Sequence, residues 1–158
     1  MANIKMARID DHFIHGQYAA RWCEASDSNL IIVINDELAT NKVRQGLLDM
    51  AVPNTINSRY YTIEKAVKQL PKLSEDKQVL LILESLTDLK ALMDAGIAPP
   101  QVKLGNTLVA PRTRYITKYV SLSDRDFDIL NELSSHGVAI DIRRLPDDTP
   151  EPFASLLK

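Results

Sequence analysis

Two carboxylates and two imidazoles crowd into one short stretch, Arg8-Ile9-Asp10-Asp11-His12-Phe13-Ile14-His15-Gly16-Gln17. A neutral imidazole can attack phosphorus through one ring nitrogen while a carboxylate or carbonyl holds the proton on the other. His15 suits that role, because Gly16 follows it and a helical pattern, Tyr18-Ala19-Ala20-Arg21-Trp22-Cys23, begins at once. A helix N-terminus there would turn free backbone N–H groups toward an anion, and Gly16 would let the backbone approach without a Cβ in the way. His15 could equally cap the helix or pack, and chemistry alone leaves both readings open.

Asp10 and Asp11 would repel a phosphate, so at least one should turn toward Arg8, a ring N–H or backbone donors. His12 could become cationic beside a phosphate dianion, which raises an imidazole pKa, or it could be a solvated loop residue. Asp10, Asp11, His12 and His15 could also hold a divalent metal for a hydrolase, but all four lie in one turn and no second cluster closes the shell. An acidic pair after a first strand is also a feature of receiver domains, yet the third strand ends in Tyr61-Thr62 where a phospho-accepting Asp would be needed. No G-x-G-x-x-G and no G-x-x-x-x-G-K-[ST] occurs, so nucleotide binding is not indicated and no cofactor is expected. Cys23, inside a helix beside Trp22, reads as core rather than as a reactive thiol.

The elements that must hold this loop can be read from apolar periodicity. Ile4 to Ile9, Leu30 to Ile34, Ile56 to Tyr61, Val79 to Leu83, Val102 to Gly105, Tyr119 to Leu122 and Val138 to Ile142 read as strands, several as uninterrupted runs suited to a sheet covered on both faces. Between them Val43, Leu47, Met50 and Ala51 recur at helical spacing after Asn41, as do Ile63, Ala66, Val67 and Leu70. Ser85 and Ser123 start further helices carrying Leu89, Leu92 and Met93, and Phe127, Leu130 and Leu133. This alternation predicts an α/β fold, a three-layer α/β/α sandwich around a mostly parallel sheet of about six or seven strands, forming one domain over residues 1–158. Right-handed crossovers would put Asp10 to His15, Asn35 to Glu37, Gly105 and Asn106 on one edge. The irregular stretch 106–115, with Arg112 and Arg114, is expected to touch something rather than build the core.

With 158 residues and 45% hydrophobic content the chain can bury a core without staples. A net charge of −2 gives no footprint for nucleic acid. The single cysteine and the lack of a signal-like N-terminus point to a reducing cytoplasm, and no run approaches the roughly 20 apolar residues that span a bilayer.

The stretch Arg8-Ile9-Asp10-Asp11-x-x-Ile14-His15-Gly16-Gln17 followed by Trp22 resembles the active-site signature of IIB components of the mannose/fructose/sorbose family of the bacterial phosphotransferase system. The resemblance continues through Ile32-Val33-Ile34-Asn35-Asp36-Glu37, the Leu47-Leu48 helix ending at Pro53, Leu104-Gly105-Asn106, Val120-Ser121-Leu122 and Ile142-Arg143. It implies a phosphotransferase in which His15 accepts a phosphoryl group from a phosphohistidine of a IIA protein and passes it to a sugar during uptake. It also implies a cytoplasmic protein, peripheral at the membrane through IIC/IID permease components, with no metal. Arg8, Asp10 and His12 would assist His15, with Asp11, Phe13, Ile14, Gly16 and Gln17 forming the phosphate loop. Asp36, Gly105, Asn106 and Arg112 would be partner or phosphate contacts. The family commonly has arginine where this chain has His12, so the cation there becomes pH-dependent and transfer should weaken above neutrality. A docking module without efficient transfer is the alternative that this departure raises. Gly105-Asn106 is similar to members taking amino sugars such as N-acetylgalactosamine.

Overall fold

Apolar runs without alternation must be covered on both sides, and the two such runs at the centre of this chain are. The computed structural model describes residues 3–107 and 114–150, and in it β2 (Leu30–Ile34) and β4 (Gln78–Leu83) lie side by side with their aliphatic side chains buried. Together with β1 (Asn3–Ile9), β3 (Asn57–Tyr61), β5 (Gln101–Leu104) and the edge strand β8 (Ala139–Asp141) they form a parallel sheet in the order β3-β2-β4-β1-β5-β8.

The chain moves outward from β1 in one direction through β2 and β3, then returns through β4 and continues in the other direction through β5 and β8. Because parallel crossovers are right-handed, this reversal puts the helices on opposite faces. α1 (Tyr18–Ser26) and α2 (Lys42–Asp49) cover one face, where Trp22, Cys23 and Ala19 pack with Met6, Ile31, Val33, Leu80 and Ile82. α3 (Ile63–Gln69), α4 (Leu86–Asp94) and α5 (Asp124–Ser135) cover the other, where Ala66, Leu89, Leu92 and Leu130 meet Ala7, Leu30, Ile32, Val79 and Leu81. Alternate residues of each strand thus serve different layers, as the two-residue repeat requires. The three-layer sandwich matches the expectation, and its main sheet has six strands among the described residues.

The run from Tyr119 to Leu122 is not a seventh strand of that sheet. Its last two residues form β7 (Ser121–Leu122), which pairs antiparallel with β6 (Arg114–Tyr115) in a separate ribbon. The reason is connectivity: this ribbon hangs on the connection between β5 and α5, and β8 takes the position beside β5. The helix starts at Asn41, Ser85 and Ser123 form as their sequences imply, each side chain accepting an amide three residues on at 3.0–3.2 Å, from Arg44, Asp88 and Asp126. Cys23 is buried, which pushes its thiol up to about 12 and leaves it a packing group.

α2 departs from the usual amphipathic logic. Its apolar stripe Val43, Leu47 and Met50 is between 64% and 83% exposed. The face turned inward is instead set by Gln45, whose Nε2 donates to the carbonyl of Leu38 at 2.8 Å, and by the partly buried Leu48 and Ala51. We therefore expect Leu47→Gln to change unfolding free energy by no more than about 0.5 kcal/mol. Leu81→Ala, in the sheet centre, should cost about 3 kcal/mol. Urea unfolding midpoints of the two variants check this, and a Leu47→Gln loss equal to that of Leu81→Ala would contradict it.

Candidate phosphoryl-transfer site

The four central strands end level with one another. Ile9 pairs with Leu83 and with Leu104, and Leu83 pairs with Ile34. The residues that follow, Asp10, Glu84, Gly105 and Asn35, therefore leave the sheet on one edge. Ligands of open α/β sheets bind at that edge, in the crevice where the winding direction reverses, and β1 is the strand at the reversal.

β1 carries its charges into the protein. Arg8 and Asp10 are both fully buried, and Arg8 Nη2 stands 3.3 Å from Asp10 Oδ2. Burial lowers the Arg8 pKa from its ordinary value while Asp10 opposes the shift, so each charge is tolerated because the other is present. Asp10 also accepts the amide of His12 at 2.9 Å, and its Oδ2 lies 3.6 Å from Nδ1 of His15. The other side of the ring meets β5's continuation, with Asn106 Nδ2 3.4 Å from His15 Nε2. The Asn106 carbonyl accepts the amide of Asp11 at 2.9 Å, which ties the two loops together. The His15 ring thus lies between a carboxylate and a carboxamide from the segments that follow β1 and β5.

Gly105 is required here by space. A Cβ on it would fall 2.6 Å from Arg8 Nη2 and 3.0 Å from Asp10 Oδ2. Both atoms belong to the buried pair, which has nowhere to retreat.

The loop from Asp11 to Gln17 closes over this pair with an unusual backbone. Phe13 has φ +57° and Gly16 has φ +52°. The left-handed conformation costs a non-glycine residue about 1 kcal/mol, and the buried packing of Phe13 and Ile14 in the α1 layer holds it. The amides of Ile14, His15, Gly16 and Gln17 donate to no acceptor among the described residues. Consecutive uncommitted amides leading into a helix N-terminus form an anion-binding concavity. His15 is 29% exposed at its rim, so its ring is reachable.

His12 lies at the surface, 65% exposed, with its Nε2 3.7 Å from Asp11 Oδ1 and its ring 5.2 Å from that of His15. Burial raises the Asp11 pKa, with Asp10 adding to the effect and His12 opposing it. Burial also lowers the His15 pKa from 6.5; Asp10 opposes this, whereas His12, Arg8 and Arg144 add to it. The balance favours the neutral imidazole, the form that carries a lone pair for attack.

The remaining residues singled out from the sequence fall in different places. Asp36 is not part of this cluster: its Oδ1 accepts the amide of Ile63 at 2.9 Å at the start of α3, and it lines a 510 Å³ cavity between the ends of β2 and β4 with Asn35 and Glu84. Arg112 lies outside the described residues. No group of three or more His, Cys, Asp or Glu side chains among the described residues is arranged to hold a metal. Two residues at the site were not singled out. The Tyr18 ring is 4.9 Å from that of His15, and Arg144 lies over Tyr18 at 4.7 Å. Arg144 follows the last strand, and the rule that polar strand ends gather on one edge applies to it as it does to Asp10.

Two measurements check this geometry. Gly105→Ala should displace the Arg8 guanidinium and lower stability by about 1–3 kcal/mol, whereas Gly46→Ala, with nothing within 4 Å of its added Cβ, should not destabilise the protein. The NMR titration midpoint of the His15 ring should lie below 6.5. Since the folded state then binds this proton less readily than the unfolded chain, the group's effect is absent above pH 6.5 and removes stability as pH falls through 6.5 toward the folded midpoint. A midpoint at or above that value would contradict the burial argument.

Comparison with known proteins accords with the site. The chain is 33% identical to the fructose-specific EIIB component of Bacillus subtilis (strain 168) over 160 aligned positions, covering 100% of this chain and 98% of that protein. It is 29% identical to the mannose-specific EIIAB component of Escherichia coli (strain K12), over 92% of this chain and 45% of that longer protein. The crystal structure of the IIB domain of the sorbose permease from Klebsiella pneumoniae superposes with a TM-score of 0.87 at 29% identity, covering 98% and 96% of the two chains. A family model described as the sorbose subfamily IIB component of the phosphotransferase system matches residues 4–158. With its reachable histidine at the start of α1 and a match along nearly all its length, this chain belongs to the sorbose-type IIB family of phosphotransferases that serve sugar uptake.

Proposed function

We propose that His15 is the phosphoryl carrier, accepting a phosphoryl group from a phosphohistidine on a IIA protein and delivering it to a sugar brought in through IIC/IID membrane components. The observation that carries this reading is a reachable imidazole, 29% exposed, seated beside amides of Ile14 to Gln17 that have no acceptor among the described residues. In the first step the unprotonated nitrogen of His15 forms a bond to phosphorus as the donor's N–P bond breaks, and the donor ring keeps that electron pair. In the second step a sugar hydroxyl oxygen attacks phosphorus and the His15 nitrogen leaves with the pair, while the hydroxyl proton passes to a base or to water. Both N–P bonds are of similar energy, so the protein's task is in-line placement and compensation of the equatorial oxygen charge.

The residues of the loop divide that task. Asn106 contacts one ring nitrogen and Asp10 faces the other at 3.6 Å, Arg8 offsets the charge of Asp10, and the loop amides and the start of α1 meet the phosphoryl oxygens. His12, 5.2 Å from the reacting ring, adds positive charge when protonated. The fusion of IIA and IIB sequences in the mannose-specific relative's name supports a IIA protein as donor. No described helix is long and apolar enough to cross a membrane, which fits a component that meets its permease partners at the membrane surface.

Incubation with phosphoenolpyruvate, the general phosphotransferase proteins and a mannose-family IIA should add one phosphoryl group to the intact mass. The adduct should be acid-labile, base-stable and absent from His15→Ala. Absence of a gain on wild type, with a control IIB phosphorylated in the same mixture, would favour a docking module instead.

A further inference from the structure

Resting on the reading that His15 carries the phosphoryl group, we infer that Arg144 is a further catalytic cation of this site, its guanidinium contacting the phosphoryl oxygens on His15. A phosphoryl dianion on this ring would stand beside two carboxylates, Asp10 and Asp11. The cation directly beneath, Arg8, is fully buried and its charge is offset by Asp10 at 3.3 Å; its guanidinium nitrogens make no hydrogen bond among the described residues, but none of them reaches the surface where a phosphoryl group would sit. His12 faces Asp11 at 3.7 Å and carries charge only when protonated. Lys103 and Arg143 both pair with Asp141, at 3.0 and 2.6 Å, and Arg21 pairs with Asp147. Arg44 stacks on Phe13 rather than on a ring that touches His15.

Arg144 is committed to no acidic partner. Its guanidinium makes no hydrogen bond or ion pair among the described residues, and its Nε is buried without an acceptor. It is nonetheless held in place. Its Cζ lies 3.5 Å from the Tyr119 ring centroid and 4.7 Å from that of Tyr18, and Tyr18 in turn lies 4.9 Å from the His15 ring. The Arg144 carbonyl accepts Trp22 Nε1 at 2.9 Å, which ties the backbone at this residue to α1. A guanidinium packed against aromatic rings loses little further freedom on binding and keeps its in-plane N–H donors free for bidentate contact with oxygens. The charge of Arg144 is also felt at His15, where it opposes protonation, so the two groups share one field.

The test combines loss and relocation of this charge. Single-turnover phosphorylation by phosphorylated IIA should be about 100-fold slower in Arg144→Gln. Arg144→Lys should recover part of the rate as a point charge. Adding His12→Arg to Arg144→Gln places a permanent cation next to His15 by another route, and should restore at least about tenfold. A merely structural role, in stacking or in anchoring the segment after β8, would not respond to a charge placed at residue 12. A rate in Arg144→Gln within about threefold of wild type, or a slow rate that His12→Arg does not relieve, would overturn the inference. Failure of wild type itself to take up phosphate would instead overturn the carrier reading on which it rests.

Discussion

The buried ion pair between Arg8 and Asp10 is the constraint on which the site depends. A lone carboxylate or guanidinium at that depth would cost several kcal/mol, so neither residue can be replaced singly without exposing the other's charge to a medium that solvates it poorly. The pair is not there to stabilise the fold, since apolar residues of similar volume would do that at least as well. Its use is positional. It places a carboxylate oxygen 3.6 Å from His15 Nδ1 while the neighbouring guanidinium offsets that carboxylate's charge. Gly105 belongs to the same device, because the strand beside β1 must pass close enough that no side chain fits between.

From that pair the rest follows outward. Asp10 can face His15 because β1 ends level with β4 and β5, and this register places the Asp11 and Asn106 loops within hydrogen-bonding reach. The register is in turn held by apolar layers on both sides of the sheet, whose alternating residues cannot slip by one position without exchanging faces. A strained Phe13 and the free amides after it persist because the loop is anchored at both ends, by Asp10 below and by Phe13, Ile14 and α1 packing above. A rigid scaffold thus supports a run of backbone amides, from Ile14 to Gln17, that have no acceptor among the described residues.

The exposed face of α2 shows a different economy. Val43, Leu47 and Met50 are spaced for a core helix, yet the helix is turned so that a buried glutamine hydrogen bond faces inward. α2 follows β2 in the chain, and its Arg44 lies over Phe13 of the loop after β1.

Much of the molecule was legible in the residues. The order of strands and helices, the serine caps and the gathering of ionisable side chains in the loop after β1 are local properties, written in periodicity and in the types of side chain that cluster at one turn. Even the mutual neutralisation of Asp10 follows from elementary electrostatics, which require that a carboxylate near a phosphate find a cation or a donor. What only the tertiary structure decided is which distant groups meet that loop. Asn106 reaches His15 through the pairing of β5 with β1, and Arg144 reaches it from beyond β8 by way of Tyr18, contacts that span about ninety or more positions of chain. Nothing in the local pattern separates Arg144 from Arg143, yet one pairs with Asp141 and the other stacks on tyrosine rings. Likewise no local pattern shows that Asp36 accepts the amide of Ile63 at the start of α3. Propensity and periodicity act over a few residues, whereas the partner of a charge is chosen by sheet register and by the direction in which each crossover turns.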